Sequence, residues 1–246
     1  MLDVRLFTVR PFTGAVLVNL LAIFSLVGFL YFVSQHLQLV LGLSPLEAGA
    51  VLVPGLVMTI VAGLAVVPLV RKVAPHVVVP AALLLSAGAY AFVALLSQGG
   101  SIGALLAAFV LLGAGVGASE TVSNDLILSS VPAAKAGAAS AISETAYEVG
   151  SVFGTALLGS ILLASYQEHL RLPAGLSPEQ GTTATETLGG AINVASELPS
   201  ESGALLLESA FHAFDSGVVL TSGIGAVLML AASGLAFWSL RKPSAA

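Results

Sequence analysis

The sequence predicts an all-α, polytopic membrane protein: one domain over residues 1–246 with six transmembrane helices. Hydrophobic residues make up 57% of the 246-residue chain and charged residues only 9%, against about 25% charged residues in a typical soluble domain. The hydrophobic residues also fall into six long apolar stretches. So few polar groups do not cover a surface in water. Composition therefore argues against a soluble enzyme, a nucleic-acid-binding module and a disordered chain.

A helix needs about 20 residues to cross about 30 Å of hydrocarbon, and each apolar stretch has or approaches this length. The predicted spans lie near residues 13–35, 47–70, 78–97, 102–130, 138–164 and 213–240. The first is too long for a cleavable signal peptide, so we expect it to remain in the protein.

Two capping sequences predict helix starts. Ser44, followed by proline and Glu47, forms a capping box that opens span two. Ser177 repeats the pattern in the long loop over 165–209 and predicts a short surface helix, ended by the glycines at 189–190. Another start at Ser200 leads into span six.

Basic residues predict the orientation of the spans. Seven of the eight bases fall on one side of a six-span topology: Arg5, Arg10, Arg71, Lys72, Lys135, Arg241 and Lys242. That side is predicted to be cytoplasmic, which places both termini in the cytoplasm and the protein in the cell membrane. The long loop then lies outside, where it holds six glutamates and the eighth base, Arg171. We expect this loop to be solvated, and deletion of about 178–198 to leave folding intact. The alternative is that its negative charge attracts cations to the outer mouth of a transport path.

No cofactor or metal site is predicted. The chain has no cysteine, and its four histidines are scattered without metal-ligand spacing. His212 and Asp215, three residues apart near the outer end of span six, form a candidate proton-relay pair; the alternative is a solvated helix end. We find no catalytic motif, so enzyme activity has no support.

Four acidic residues lie well inside the spans: Glu120 and Asp125 in span four, and Glu144 and Glu148 in span five. A charged residue at mid-membrane costs about 2.5–3.5 kcal/mol on insertion scales. None of the four has a basic partner within a span. We therefore expect these acids to face a polar interior, to take up protons, or both.

Spacing singles out span five. Glu144 and Glu148 are four residues apart and share a helix face with Tyr147, and Glu148 lies about 15 Å from the inner end of the span. These residues, with Glu120 and Asp125, are the candidate proton- and substrate-binding groups. The alternative is that the acids are protonated and hydrogen-bond across helices, or, for Asp125, that it pairs with Lys135 or caps an inner helix end.

Glycines predict close helix contacts in the same two spans. Gly113 and Gly117 lie four residues apart in span four, as do Gly150 and Gly154 in span five. Such spacing of small residues lets two helix backbones approach closely. We assign these glycines to helix packing.

Four segments together carry a resemblance to a known family: residues 2–12 (LDVRLF, then RPF), 42–49 (GLSPLEAG), 131–140 (VPAAKAGAAS) and 143–150 (SETAYEVG). They resemble the fourteen-helix drug:proton antiporters of the major facilitator superfamily, in the branch of quaternary-ammonium and multidrug exporters. The last segment is similar to the acidic motif of the penultimate span in that branch.

The resemblance implies a major-facilitator-type bundle of two inverted three-helix repeats, corresponding to the carboxyl-terminal six helices of such a transporter. It makes Glu144 and Glu148 candidates for binding protons and lipophilic cations. Because a transporter of this family needs two bundles, we expect a partner: a second half of six or eight helices, or another copy of the chain.

The leading hypothesis is thus half of a proton-coupled exporter of lipophilic cationic drugs. The alternative is a non-transporting membrane subunit or a truncated transporter fragment. Uptake of an anionic nutrient is less favoured, because the spans contain no lysine or arginine to bind an anion.

Overall fold

The fold comes from a computed structural model that describes residues 4–96 and 101–241, and these two ranges contain no β-strand. The described ranges hold nine α-helices: α1 (Arg10–Gln35), α2 (Pro45–Val70), α3 (Pro75–Leu95), α4 (Ile102–Ser129), α5 (Ala136–Phe153), α6 (Gly159–His169), α7 (Pro178–Glu186), α8 (Leu188–Glu197) and α9 (Ser200–Ser239). A π-helical turn, His36–Val40, extends α1, and a second, Gly154–Leu158, joins α5 to α6.

In the part of the chain that the structure describes, six continuous helical segments are long and apolar enough to cross a membrane: Arg10–Val40, Pro45–Val70, Pro75–Leu95, Ile102–Ser129, Ala133–His169 and Ser200–Ser239. We number them span one to span six. The predicted all-α, six-span membrane fold is confirmed. Most observed helices run beyond the apolar stretches; the predicted end of span three, residue 97, lies outside the described residues.

The helix starts read from the sequence are confirmed. Ser44 Oγ accepts a hydrogen bond from the Glu47 backbone N–H at 3.3 Å, and Glu47 Oε2 accepts one from the Ser44 backbone at 2.9 Å. Ser177 and Gln180 form the same reciprocal box at the start of α7. Span six begins at Ser200. These caps satisfy backbone N–H groups that have no partner within the helix.

The helices pack as two equivalent triplets, α1–α2–α3 and α4–α5–α9. α2 packs on α4 as α5 packs on α1, and α3 packs on α4 as α9 packs on α1. Two further large contacts, α1 with α4 and α3 with α9, join corresponding members of the two triplets. Exchanging the triplets preserves this set of contacts, as expected for two repeats in one bundle. The contact of α6, the second part of span five, with α9 has no such counterpart, because α2 and α3 scarcely touch.

Small residues make the contact between α2 and α4 close. A methyl group added at Gly113 would collide with the backbone carbonyl of Gly55, and one added at Gly117 would collide with that of Thr59. Span five contacts α1 in the same way: Gly150 of α5 lies against the Leu20 carbonyl, and Gly154, at the start of the π-helical turn, lies against that of Phe24. Both contacts leave no room for a side chain, so the helix backbones touch directly.

The segment between spans five and six forms two helices, α7 and α8. We call the end of the bundle that carries them the cap end. The opposite end, which carries Arg71 and Lys72, is called the basic end. On α8, Leu188, Ala191 and Val194 are buried. The Tyr166 hydroxyl, from α6, donates a 2.8 Å hydrogen bond to the Ala184 carbonyl of α7. The expectation of a solvated loop is wrong, because the apolar side chains of α8 pack on the bundle. The predicted helix ends at Glu186, and the glycines at 189–190 lie inside α8. That folding survives deletion of 178–198 stays a prediction.

Candidate functional site

α5 has one packed face and one polar face. Ala139, Ile142, Ala146 and Gly150 are buried at helical intervals, and α5 packs mainly on α1. Glu144, Tyr147 and Glu148 lie on the other side, where all three are exposed. The described part of the chain therefore leaves these polar side chains uncovered inside a membrane-spanning segment.

Tyr147 lies three residues after Glu144 and one residue before Glu148, on the same side of α5. The carboxyl groups of Glu120, on α4, and of Glu148 and Glu144 all lie within electrostatic range of its hydroxyl. Glu120 is half-buried on α4. Four of the five candidate site residues thus lie on the neighbouring helices α4 and α5. Asp125, the fifth, is exposed further along α4.

A hydrogen-bonded junction fixes α5 beside the acids. Asn19 Nδ2, on α1, donates to Ser143 Oγ at 2.9 Å and lies 3.5 Å from Asn124 Oδ1, on α4. The Ser143 hydroxyl in turn donates to Asn124 Oδ1 at 2.8 Å. Since Ser143 immediately precedes Glu144, the junction sets the position of the first carboxylate relative to α1 and α4.

Asn19 is 1% exposed and was not among the residues predicted from the sequence. The available signal was a lone asparagine within the apolar stretch 13–35. A polar amide in a span needs a partner on another helix.

The acidic group lies near the middle of span five. That span runs over the 37 residues Ala133–His169, so its centre falls at Ser151, three residues from Glu148. The π-helical turn Gly154–Leu158 begins directly after this point. π-helical turns within α-helices are often found at functional sites.

A second polar pair lies toward the cap end. His36 Nδ1 is 3.4 Å from Asp215 Oδ1, which joins the π-helical turn after α1 to α9. The predicted pairing of His212 with Asp215 is not formed, and His212 is exposed. His212 and Asp215 instead line one cleft of about 230 Å³.

Within residues 4–96 and 101–241, no group of three or more histidine, aspartate or glutamate side chains is placed to hold a metal ion. The polar groups of the site are carboxyls, a phenol, amides and hydroxyls. Such groups can exchange protons and bind organic cations.

Carboxyl groups on an uncovered helix face of a six-helix membrane bundle are typical of membrane transport proteins. The chain matches the Major Facilitator Superfamily over residues 3–155 and belongs to that family. It is a multi-pass membrane protein of a transporter family.

Several curated proteins are similar to the chain over nearly its whole length. The multidrug efflux pump LfrA of Mycolicibacterium smegmatis is 52% identical over 240 residues, 96% of the chain and 48% of LfrA. The methyl viologen resistance protein SmvA of Salmonella typhimurium is 35% identical over 96% of the chain and 48% of SmvA. The tetracenomycin C resistance and export protein of Streptomyces glaucescens is 27% identical over 97% of the chain and 46% of that protein. The chain spans about half the length of these relatives.

Proposed function

We propose that the chain forms one six-helix half of a proton-coupled exporter of lipophilic cations, with Glu148 and Glu144 as the exchange site. The observation that carries this proposal is that Glu144 and Glu148 lie exposed beside Tyr147 on the uncovered face of α5, with Glu120 of α4 within electrostatic range of that tyrosine. The similarity to export and resistance proteins supports the same direction of transport.

The proton and the cationic substrate compete for one carboxylate, and this competition couples proton uptake to release of the cation. An ionised Glu148 attracts a cationic substrate, and protonation removes that attraction, so proton uptake releases the cation. Tyr147 offers the substrate an aromatic face, which attracts organic cations, and its hydroxyl can hydrogen-bond a carboxyl group. A membrane potential of 100 mV adds about 2.3 kcal/mol for each charge moved.

The uncovered α5 face requires a partner. Exposed carboxyl groups are costly in lipid, and the full relatives hold about as many residues again as this chain supplies. We propose that a second half of six or eight helices, or another copy of the chain, covers this face and completes a path between two bundles. The single six-span domain over 1–246 is the unit that takes part in this assembly.

We further propose that the protein lies in the cell membrane with its basic end in the cytoplasm. The exposed bases Arg71 and Lys72 lie at that end, between α2 and α3, as the positive-inside rule requires. The cap end, with α7 and α8, then faces outside, and both termini are cytoplasmic.

The test is export by the chain expressed together with the amino-terminal half of a relative, in cells or vesicles with an imposed pH gradient. Glu148→Gln should abolish gradient-driven export at normal protein abundance, and Glu148→Asp should keep part of it. The matched control is Glu168→Gln, an exposed acid of α6 near the cap end, which should export like the wild type. Full export by Glu148→Gln would contradict the proposal, because the Glu148 carboxyl would then serve only in helix packing.

A second comparison separates the roles of the two acids. Glu144→Gln should reduce export of a divalent cation more than export of a monovalent one, because the divalent cation uses both carboxylates. SmvA is named for resistance to methyl viologen, which is a divalent organic cation, so this compound and a monovalent dye form the test pair. Equal losses for the two substrates would contradict shared binding. Absence of transport with every tested partner would favour the alternative, a non-transporting subunit or a transporter fragment.

A further inference from the structure

A second site lies away from the carboxylates, in a groove between α2 and α3 that the chain leaves open. These two helices are consecutive but scarcely touch each other, since both pack on α4. The groove between them has a volume of about 480 Å³. Its lining side chains are all apolar: Ala62, Ala65, Val66 and Leu69 of α2, Val73 of the turn, Val77, Val78, Ala81, Ala82 and Leu85 of α3, and Ala114 and Ala118 of α4.

The lining suits a slender apolar chain. Most of the lining residues are alanines or valines, and Ala114 and Ala118 of α4 contribute to its lining. Along α2 the groove runs from Leu69 to Ala62, a distance of about 10 Å at 1.5 Å per residue. It therefore starts at the basic end and extends toward the middle of the membrane, the path that an acyl chain takes from its headgroup.

Two basic residues lie at the end of the groove where the headgroup of a bound lipid would lie. Arg71 and Lys72 occupy the turn between Leu69 and Val73, which both line the groove, and both bases are exposed. Neither forms an ion pair within residues 4–96 and 101–241. Their charge attracts an anionic headgroup and repels a cationic substrate, so the groove is not a second site for lipophilic cations. Basic pockets between transmembrane helices are a known way of binding anionic lipid headgroups.

We propose that this groove binds one acyl chain of an anionic phospholipid whose headgroup contacts Arg71 and Lys72. The lipid fills the space that α2 and α3 leave between them and neutralises the two bases at the membrane surface. It adds apolar contacts to α2, the span that is least buried within the bundle.

The experiment measures lipid retention on the purified full chain by native mass spectrometry. The probes are phosphatidylglycerol and phosphatidylcholine with identical acyl chains. The wild type should retain phosphatidylglycerol in preference to phosphatidylcholine. The variant Arg71→Gln/Lys72→Gln should bind phosphatidylglycerol about 30-fold more weakly, from about 1 kcal/mol for each base at a membrane surface and 1.4 kcal/mol for each factor of ten.

A matched charge control is Arg10→Gln/Arg241→Gln. These bases are also at the basic end, but they lie over the rings of Trp238 and Phe237 and do not line the groove. This variant should bind phosphatidylglycerol like the wild type. Equal loss in both double variants would mean that general surface charge holds the lipid, which overturns the proposal.

A second variant tests the groove itself. Ala81 lines the groove and is exposed, so Ala81→Phe places a ring in the groove and should abolish phosphatidylglycerol retention. The control, Val227→Phe, adds the same ring on the exposed surface of α9 and should leave phosphatidylglycerol retention unchanged. Retention unaffected by Ala81→Phe overturns the proposal. So does a disulfide between two copies carrying Ala81→Cys in native membranes, since a second copy would then occupy the groove. None of these measurements depends on transport.

Discussion

His36 Nδ1 lies 3.4 Å from Asp215 Oδ1, and this pair connects span one to span six near the cap end. His36 is 2% exposed, and its second ring nitrogen, Nε2, is buried without a hydrogen-bond partner among the described residues. The Phe214 ring stacks on the imidazole at 6.3 Å between centroids. A polar pair so enclosed is expected to contribute to stability through both of its members.

The first prediction is that His36 and Asp215 are energetically coupled. His36→Gln and Asp215→Asn should each lower the thermal stability of the detergent-solubilised protein, and the double variant should lose less than the sum. The expected coupling free energy is about 0.5–3 kcal/mol, measured by a double-mutant cycle on unfolding. His212→Gln is the control, because His212 is exposed yet lines the same cleft as Asp215. Its effect should add to that of Asp215→Asn, and additivity in the His36 cycle would contradict the contact.

The second prediction concerns the glycine contacts. Gly117→Ala and Gly150→Ala should each destabilise the bundle by about 1–3 kcal/mol, because the new methyl group collides with a backbone carbonyl that cannot move aside cheaply. Gly223→Ala is the matched control: nothing lies within 4 Å of its added methyl group. That variant should keep or raise stability, since alanine favours a helix by about 1 kcal/mol. Thermal unfolding followed by circular dichroism distinguishes the two results.

The third prediction is that Tyr166 anchors the helices of the cap end. Tyr166→Phe removes the hydrogen bond to the Ala184 carbonyl, which should cost about 1 kcal/mol and speed amide hydrogen exchange in α7 and α8. Tyr31→Phe, at an exposed position on α1, should leave that exchange unchanged. If exchange in α7 and α8 is already as fast as in an unfolded peptide in the wild type, the ordered cap end is contradicted.

The fourth prediction tests orientation by labelling cysteines, since the chain has no native cysteine. Thr182→Cys on α7 should react with an impermeant maleimide added outside intact cells. Ala74→Cys, exposed in the turn between α2 and α3, should react only after the membrane is opened. The opposite pattern would reverse the proposed topology.

The fold was predictable because its signals are local. The spans follow from apolar length, and the starts at Ser44, Ser177 and Ser200 follow from capping chemistry that involves only neighbouring residues. The acids of the site were also visible in the sequence, since a charged residue in a span is rare and costly.

The missed features all depend on contacts between distant segments. Asn19 meets Ser143 across two helices, and His36 meets Asp215 although His212 is far closer in sequence. Helical periodicity identifies neighbours on one helix, but it does not show which spans touch. The burial of α8 escaped for the same reason, because its short apolar run resembles a loop until its packing partner is known.

Span six has a mechanical consequence. α9 contains 40 residues without a break, which makes it about 60 Å long, about twice the thickness of the hydrocarbon. Its cap-end portion packs on α8, while its other end reaches Ser239 at the basic end. A continuous rod of this length acts as a lever: a tilt of about 10° about one end displaces the other by about 10 Å. If this bundle rocks against a partner about the basic end of α9, the cap end of α9 moves, and α7 and α8 shift with it.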